Sequence, residues 1–157
     1  MNYTELSQRD PLWMNKRLGN ATSNAYTIGA FGCTITTLTN MLNRRFGYTL
    51  RVDEVNERLK KVGAFAPNEV GQKVLLIWAL VPKAFSELKF EKRVRNYNNA
   101  EVSWWVYVKK LPVMVEVQFG AQRHWVLFIG GRQMVDPWTG TVRSTSTYPT
   151  TGYTLFS

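Results

Sequence analysis

The sequence predicts an α+β protein in which helices come first and an antiparallel sheet follows. Three observations carry that expectation. Apolar residues recur at helical spacing after Cys33 and again after Val52. Apolar and polar residues alternate from Val113 to Phe119. A glycine pair, Gly130-Gly131, then separates two further apolar runs as a hairpin turn would. Helical and strand signals in separate blocks belong to α+β architectures. The chain has 157 residues, 45 % of them hydrophobic, enough for one domain spanning 1–157 with a buried core.

The first helix is expected in the stretch CTITTLTNMLNRRFG. Ile35, Leu38, Leu42 and Phe46 fall on one helical face with Met41 beside them, and Gly47 stands where a helix-ending glycine belongs. A second helix is predicted from about Val52 to Val62, with Val52, Val55, Leu59 and Val62 as its apolar stripe. Asp53 and Glu54 in the first turn and Lys60 and Lys61 in the last suit the helix dipole, and Gly63 follows. A third helix is possible over Gly71 to Ala84, stopped or kinked by Pro82. The period of VSWWVYVKK fits helix or strand equally. From Pro112 the signal is β: a half-buried strand over Val113–Phe119, a central strand in HWVLFIG, and QMVDPW as its hairpin partner.

Charge narrows the partners. Twenty Lys and Arg against 11 Asp and Glu give a net charge of +9. Such a balance attracts polyanions: an anionic cell wall, a membrane surface or nucleic acid. The basic residues are scattered, with small clusters at Arg44-Arg45, Lys60-Lys61, Lys92-Arg93 and Lys109-Lys110, so ordinary solvated helix faces explain them as well as a functional anionic surface does. No helix-turn-helix, zinc or RNA-recognition signature accompanies the charge, so no specific nucleic-acid partner is expected. The longest apolar stretch, Val74 to Pro82, is far short of a bilayer span, so no transmembrane segment is expected. The opening MNYTELSQRDPLW lacks the order of a secretory signal, which implies a protein made in the cytoplasm that reaches any wall target by holin-type release or from a virion.

The candidate chemistry starts from the single cysteine, which cannot form an intrachain disulfide. Most lone cysteines are small buried hydrophobes. Cys33, however, would open a helix, where unpaired N–H groups and the dipole favour an anion and a thiol ionises more readily. Gly29 and Gly32 just before it would leave the approach open to a substrate backbone. The single histidine, His124, opens a strand next to a loop instead of lying in its middle. If Gly130, Gly131 and Arg132 form a three-residue loop, His124 lies opposite Trp138 and Asp136 becomes its diagonal neighbour on the same face. A two-residue loop would put Asp136 on the other face. In the first case Cys33, His124 and Asp136 form a nucleophile, a base and an orienting carboxylate, an arrangement for acyl transfer.

Taken together, SQRDPLW, TIGAFGCTITTLTNML, VDEVNERLKK, LPVMVEV, HWVLFIG and VDPWTG resemble the bacteriocin-processing-peptidase-like branch of papain-like cysteine peptidases. The match runs in family order from about Ser7 to Gly140, and the stretch from Ala66 to Asn99 contributes little to it. The resemblance implies a papain-like fold, with the Cys33 helix packed on an antiparallel sheet bearing His124 and Asp136. It also implies a role for Gln8, which composition and spacing do not pick out: its side-chain amide and the Cys33 N–H would form the oxyanion hole.

The function so implied is a cysteine peptidase or amide hydrolase acting through a thioester. Family members that cleave after double glycine usually sit within transporters, whereas this chain has no membrane or nucleotide-binding part. Free-standing relatives occur in bacteria and phages as predicted wall hydrolases, and a small basic domain suits the peptide bonds of peptidoglycan, as in a phage endolysin. Two alternatives fit the same sequence: a protein-processing peptidase, and a non-catalytic papain-like scaffold with a binding or virion-structural role. No cofactor is expected, and one Cys with one His makes a poor zinc ligand set.

Overall fold

The computed structural model describes residues 4–157 and shows a mixed α+β protein built on antiparallel sheets. Its helices are α1 (Ile28–Phe31), α2 (Cys33–Phe46), α3 (Val52–Lys61), α4 (Val81–Ala84) and α5 (Asn99–Ser103). Strands β1 (Phe65–Pro67) and β2 (Lys73–Leu76) form a small separate pair. The main sheet has six strands: β3 (Phe90–Val94), β4 (Val113–Phe119), β5 (Gln122–Gly130), β6 (Gln133–Asp136), β7 (Thr141–Ser144) and β8 (Thr150–Phe156). Their order across the sheet is β3-β8-β4-β5-β6-β7, every neighbour antiparallel.

Helix α2 buries Ile35, Leu38, Met41 and Leu42, and the left-handed Gly47 (φ 68°) returns its N–H to Asn43 O at 3.0 Å. The expected stripe of α3 is likewise buried at Val52, Val55 and Leu59, with Glu54 accepting the Arg51 N–H at 3.1 Å to start the helix. Helix α2 packs on one face of the sheet with α3 beside it, and Met114, Trp125, Leu127, Val135 and Phe156 join their side chains in one buried cluster. Val113, Val115, Val117, Val126, Phe128, Met134, Tyr153 and Leu155 occupy the opposite face, beneath Val102, Trp105 and Val106. Strand β4 is therefore buried on both sides, not half-buried, because the VSWWVYVKK stretch folds as α5 and a π-helical turn (Trp104–Val108) that closes over the second face. Its Lys109 N–H reaches back five residues to Trp104 O.

The stretch from Gly71 to Ala84 differs from the expected helix. It contributes β2, a 3₁₀ turn at Trp78–Leu80 and only four helical residues. Pro82 sits in the first turn of α4, where its missing N–H costs nothing, so it opens a helix instead of stopping one. Among the described residues no helix is long and apolar enough to cross a membrane.

The β5–β6 hairpin sets the register on which the site depends. Gly131 and Arg132 form a two-residue turn with φ of 62° and 56°, the left-handed pair of a type I′ turn. A bulge between Phe128 and Gly130 then adds one residue on β5. Leu127 consequently pairs with Val135 and Phe128 with Met134, the register a three-residue loop would give. Continued toward the other end of the strands, it sets Asp136 diagonally from His124 on the same face.

Candidate active site

Cys33 is the first residue of α2, and Gly32 before it is an N-cap without a side chain to cap the helix. The thiol is partly exposed, with Sγ 4.0 Å from Thr34 Oγ1. A Cβ on Gly32 would overlap the Ile28 carbonyl oxygen and approach Ile28 Cγ2 at 2.8 Å, and one on Gly29 would lie 2.9 Å from Met14 O. The two glycines are thus needed to pack α1 against α2 and against the Trp13-Met14 segment. They do not hold open a path for substrate. One turn into α2, Thr37 donates its hydroxyl to Trp125 O at 3.0 Å, a buried bond that pins the start of the helix to β5 one residue from His124.

His124 lies near the end of β5, opposite Val117 of β4 and two residues from the turn that joins the strands. Its Nε2 is 2.8 Å from Asp136 Oδ1, with His124 4 % exposed and Asp136 fully buried. Because Nε2 is engaged by the carboxylate, Nδ1 is the nitrogen left for Cys33. Burial opposes protonation of His124, but hydrogen bonds to Asp136 and Cys33, and the negative charges of both, outweigh it and push the imidazole up to about 9. Burial would raise Asp136, yet hydrogen bonds from His124, from the Tyr148 hydroxyl and from the Trp138 N–H hold it below the ordinary carboxylate range. The Trp138 N–H donates to Oδ1 at 2.9 Å and Tyr148 Oη to Oδ2 at 2.6 Å, while Arg143 Nε stands 3.6 Å from Oδ2. Both carboxylate oxygens are therefore partnered and the carboxylate is fixed in place.

Gln8 is brought in by a strap at the beginning of the described chain. Asn40 of α2 grips Leu6 through both backbone groups, at 2.9 and 3.2 Å, and Arg44 pairs with Glu5 at 2.6 Å. The Gln8 N–H donates to Pro137 O at 2.7 Å, and Trp138 O accepts from Ser7 Oγ at 3.1 Å and from Arg9 Nε at 2.8 Å. The Arg9 guanidinium also stacks 4.3 Å from the Trp138 ring. The Ser-Gln-Arg and Asp-Pro-Trp motifs, far apart in sequence, are thus two halves of one joint. In it the Gln8 side chain is 1 % exposed and donates from Nε2 to Gly29 O at 3.1 Å, which occupies one of its two amide hydrogens. Its Oε1 has no partner among the described residues.

An aromatic cover completes the pocket. Phe119 lies 4.8 Å from the His124 ring and Tyr148 6.1 Å, edge-on, with Phe119 also touching Trp138 at 5.8 Å. The imidazole is shielded from water on these sides while the thiol is not. Local sequence pattern does not mark Tyr148 as part of the site. Its one signal is to be the only aromatic residue between Trp138 and Tyr153. Phe119 is marked by the sequence only as the end of a strand. Among the described residues no group of His, Cys, Asp and Glu is arranged to hold a metal.

No protein-family model, curated protein or solved structure matches this chain.

Proposed function

We propose that the protein is a cysteine peptidase of papain-like fold that cleaves peptide bonds in bacterial peptidoglycan. The observation that carries the reading is the buried His124–Asp136 pair at 2.8 Å, with Cys33 at the start of α2 as the imidazole's other partner. An imidazole raised to about 9 is protonated at neutral pH, which suits a resting ion pair with a Cys33 thiolate. Sγ attacks the carbonyl carbon of the scissile bond. His124 gives its Nδ1 proton to the leaving amine, the C–N bond breaks, and a thioester remains. Water, deprotonated by His124, then attacks the thioester carbon, releasing the acid and returning the proton to the pair.

The free hydrogen of Gln8 Nε2 and the Cys33 N–H are the donors we assign to the oxyanion, for which a buried amide anchored on Gly29 O supplies a preorganised dipole. Asp136 keeps Nε2 protonated and the ring in one orientation. The substrate assignment is supported by the net charge of +9, which favours an anionic polymer over a neutral peptide.

The test compares wild type with Cys33→Ala on Gram-negative and Gram-positive peptidoglycan, following turbidity and identifying released fragments by mass spectrometry. New amino termini produced by wild type alone are the expected result, and they identify the bond. Failure to release fragments, together with rapid labelling of Cys33 by iodoacetamide at neutral pH, would mean a working hydrolase with another peptide or amide substrate. If Cys33 were also inert to iodoacetamide, the hydrolase reading would be lost in favour of a binding scaffold.

A further inference from the structure

At the other end of β5, away from His124, the π-helical turn and the β5–β6 turn enclose a cleft of about 760 Å³. Tyr97 and Tyr107 contribute aromatic surface to it, and Asn99, Ser103, Arg132 and Gln133 contribute hydrogen-bonding side chains. None of those last four side chains has a hydrogen-bond or ion-pair partner among the described residues, so donors and acceptors in a concave site are left for something else. Tyr97 is held edge-on against Tyr153 at 5.8 Å, and burial together with the nearby Tyr107 pushes its hydroxyl above the ordinary range.

Arg132 is the residue that most needs explaining. It occupies the second position of the type I′ turn at φ 56°, a conformation for which glycine is favoured and Gly131 already stands beside it. The fold fixes it there: the Arg132 N–H donates to Tyr107 Oη at 3.0 Å, and Arg132 O accepts from the Thr145 N–H at 3.0 Å. A backbone locked from both sides in an unfavourable conformation presents an unpaired guanidinium to the cleft, a pattern found where a side chain serves a ligand.

We propose that this cleft is a binding site for an anionic saccharide. Aromatic faces pack against the apolar face of a sugar ring, amides and hydroxyls match its hydroxyl groups, and Arg132 pairs with a carboxylate or phosphate that the sugar carries. The cleft is concave and half polar, which fits a sugar ring better than a lipid surface. A muramic-acid glycan and the glycosyl phosphate of a wall polymer share this chemistry. The site is separate from Cys33, and its occupancy does not depend on whether Cys33 cleaves anything.

Calorimetric titration of the full chain carrying Cys33→Ala tests it, using N-acetylmuramic acid, N-acetylglucosamine 1-phosphate and uncharged N-acetylglucosamine as probes. One of the two charged sugars should bind measurably more tightly than the uncharged one, and which one does so identifies the source. Adding Arg132→Gly, which relieves the left-handed strain, should keep or raise the melting temperature while weakening binding about tenfold, as loss of a charge-assisted hydrogen bond predicts. Tyr107→Phe should weaken it by less. Equal affinity for charged and uncharged sugars, binding unaffected by Arg132→Gly, or no binding by any probe would overturn the proposal. Binding to phosphatidylglycerol vesicles that Arg132→Gly abolishes, without sugar binding, would assign the patch to a membrane instead.

Discussion

At the scale of single residues, the site is organised around Asp136. Its two oxygens receive His124, the Trp138 N–H and Tyr148, and Arg143 stands at the edge, so a buried carboxylate keeps its charge. The sign of the pH dependence follows. His124 is raised in the folded protein, so the stability its partners supply is complete below about pH 6.5, its unfolded value, and is lost as pH rises through about 9. Asp136 is depressed, so its contribution is present above about pH 3.9 and is lost on further acidification. Hydrolysis that depends on a protonated His124 should therefore show an alkaline limb near pH 9. In Asp136→Asn that limb should move down by roughly one to two pH units and turnover at the optimum should drop by about 10²-fold or more, since the asparagine removes the charge. Tyr148→Phe keeps the carboxylate charge and the ring, so its limb should not move down. pH–rate profiles of the three proteins check both, and an unmoved limb in Asp136→Asn would remove His124 as the titrating group.

Secondary-structure elements matter here through the way they are joined. Cys33 begins a fourteen-residue helix whose interior is anchored at Leu38 and Leu42, both fully buried, so truncating either to alanine would cost about 2–5 kcal/mol. The junction before it is tighter still. Gly32→Ala places a methyl group into the Ile28 carbonyl, a backbone atom that no rotamer change can move aside. The expected loss is about 1–3 kcal/mol of stability, read by thermal unfolding, with slower iodoacetamide labelling of Cys33 as the start of α2 shifts. A melting temperature equal to wild type would show that α1 yields freely. These elements also divide what the sequence could tell from what it could not. The stripes of α2 and α3 were legible because burial on one face imposes a period of its own. VSWWVYVKK was ambiguous because a π-helical turn has neither the helical nor the strand period, and Gly71–Ala84 misled because a short apolar run reads alike as helix or buried strand. The Asp136 register was legible only as a condition. The bulge that decides it lies at Ile129-Gly130, which nothing in the local composition distinguishes from an ordinary strand end.

For the whole molecule, the governing facts are a sheet covered on both faces and a surface carrying a net charge of +9. The long-range joint between the Ser7–Arg9 strap and Pro137-Trp138 could not be seen in local patterns, because its hydrogen bonds, from the Gln8 N–H and the Ser7 and Arg9 side chains to the Pro137 and Trp138 carbonyls, join residues 129 or more positions apart. The charge, in contrast, is wholly legible in the sequence, and it acts at a distance that contacts do not. If the substrate is an anionic wall polymer, part of the attraction comes from the field of all the basic residues together, and salt screens that field once the Debye length falls below the reach of the surface charges, about 10 Å at 0.1 M. Sedimentation with purified sacculi should therefore weaken steeply between about 0.05 and 0.5 M salt. Cleavage of a short uncharged peptide carrying the scissile bond should hardly change over the same range, because the His124–Asp136 pair is buried, with Phe119 and Tyr148 against the imidazole, and its geometry does not depend on the outer charges. Binding that persists at high salt would place the affinity in local contacts such as the Arg132 cleft, whose loss in Arg132→Gly then becomes the stronger effect. Salt sensitivity of the small-peptide reaction as well would mean that the surrounding cations tune the thiol–imidazole pair itself, and the site would have to be described together with its basic surface.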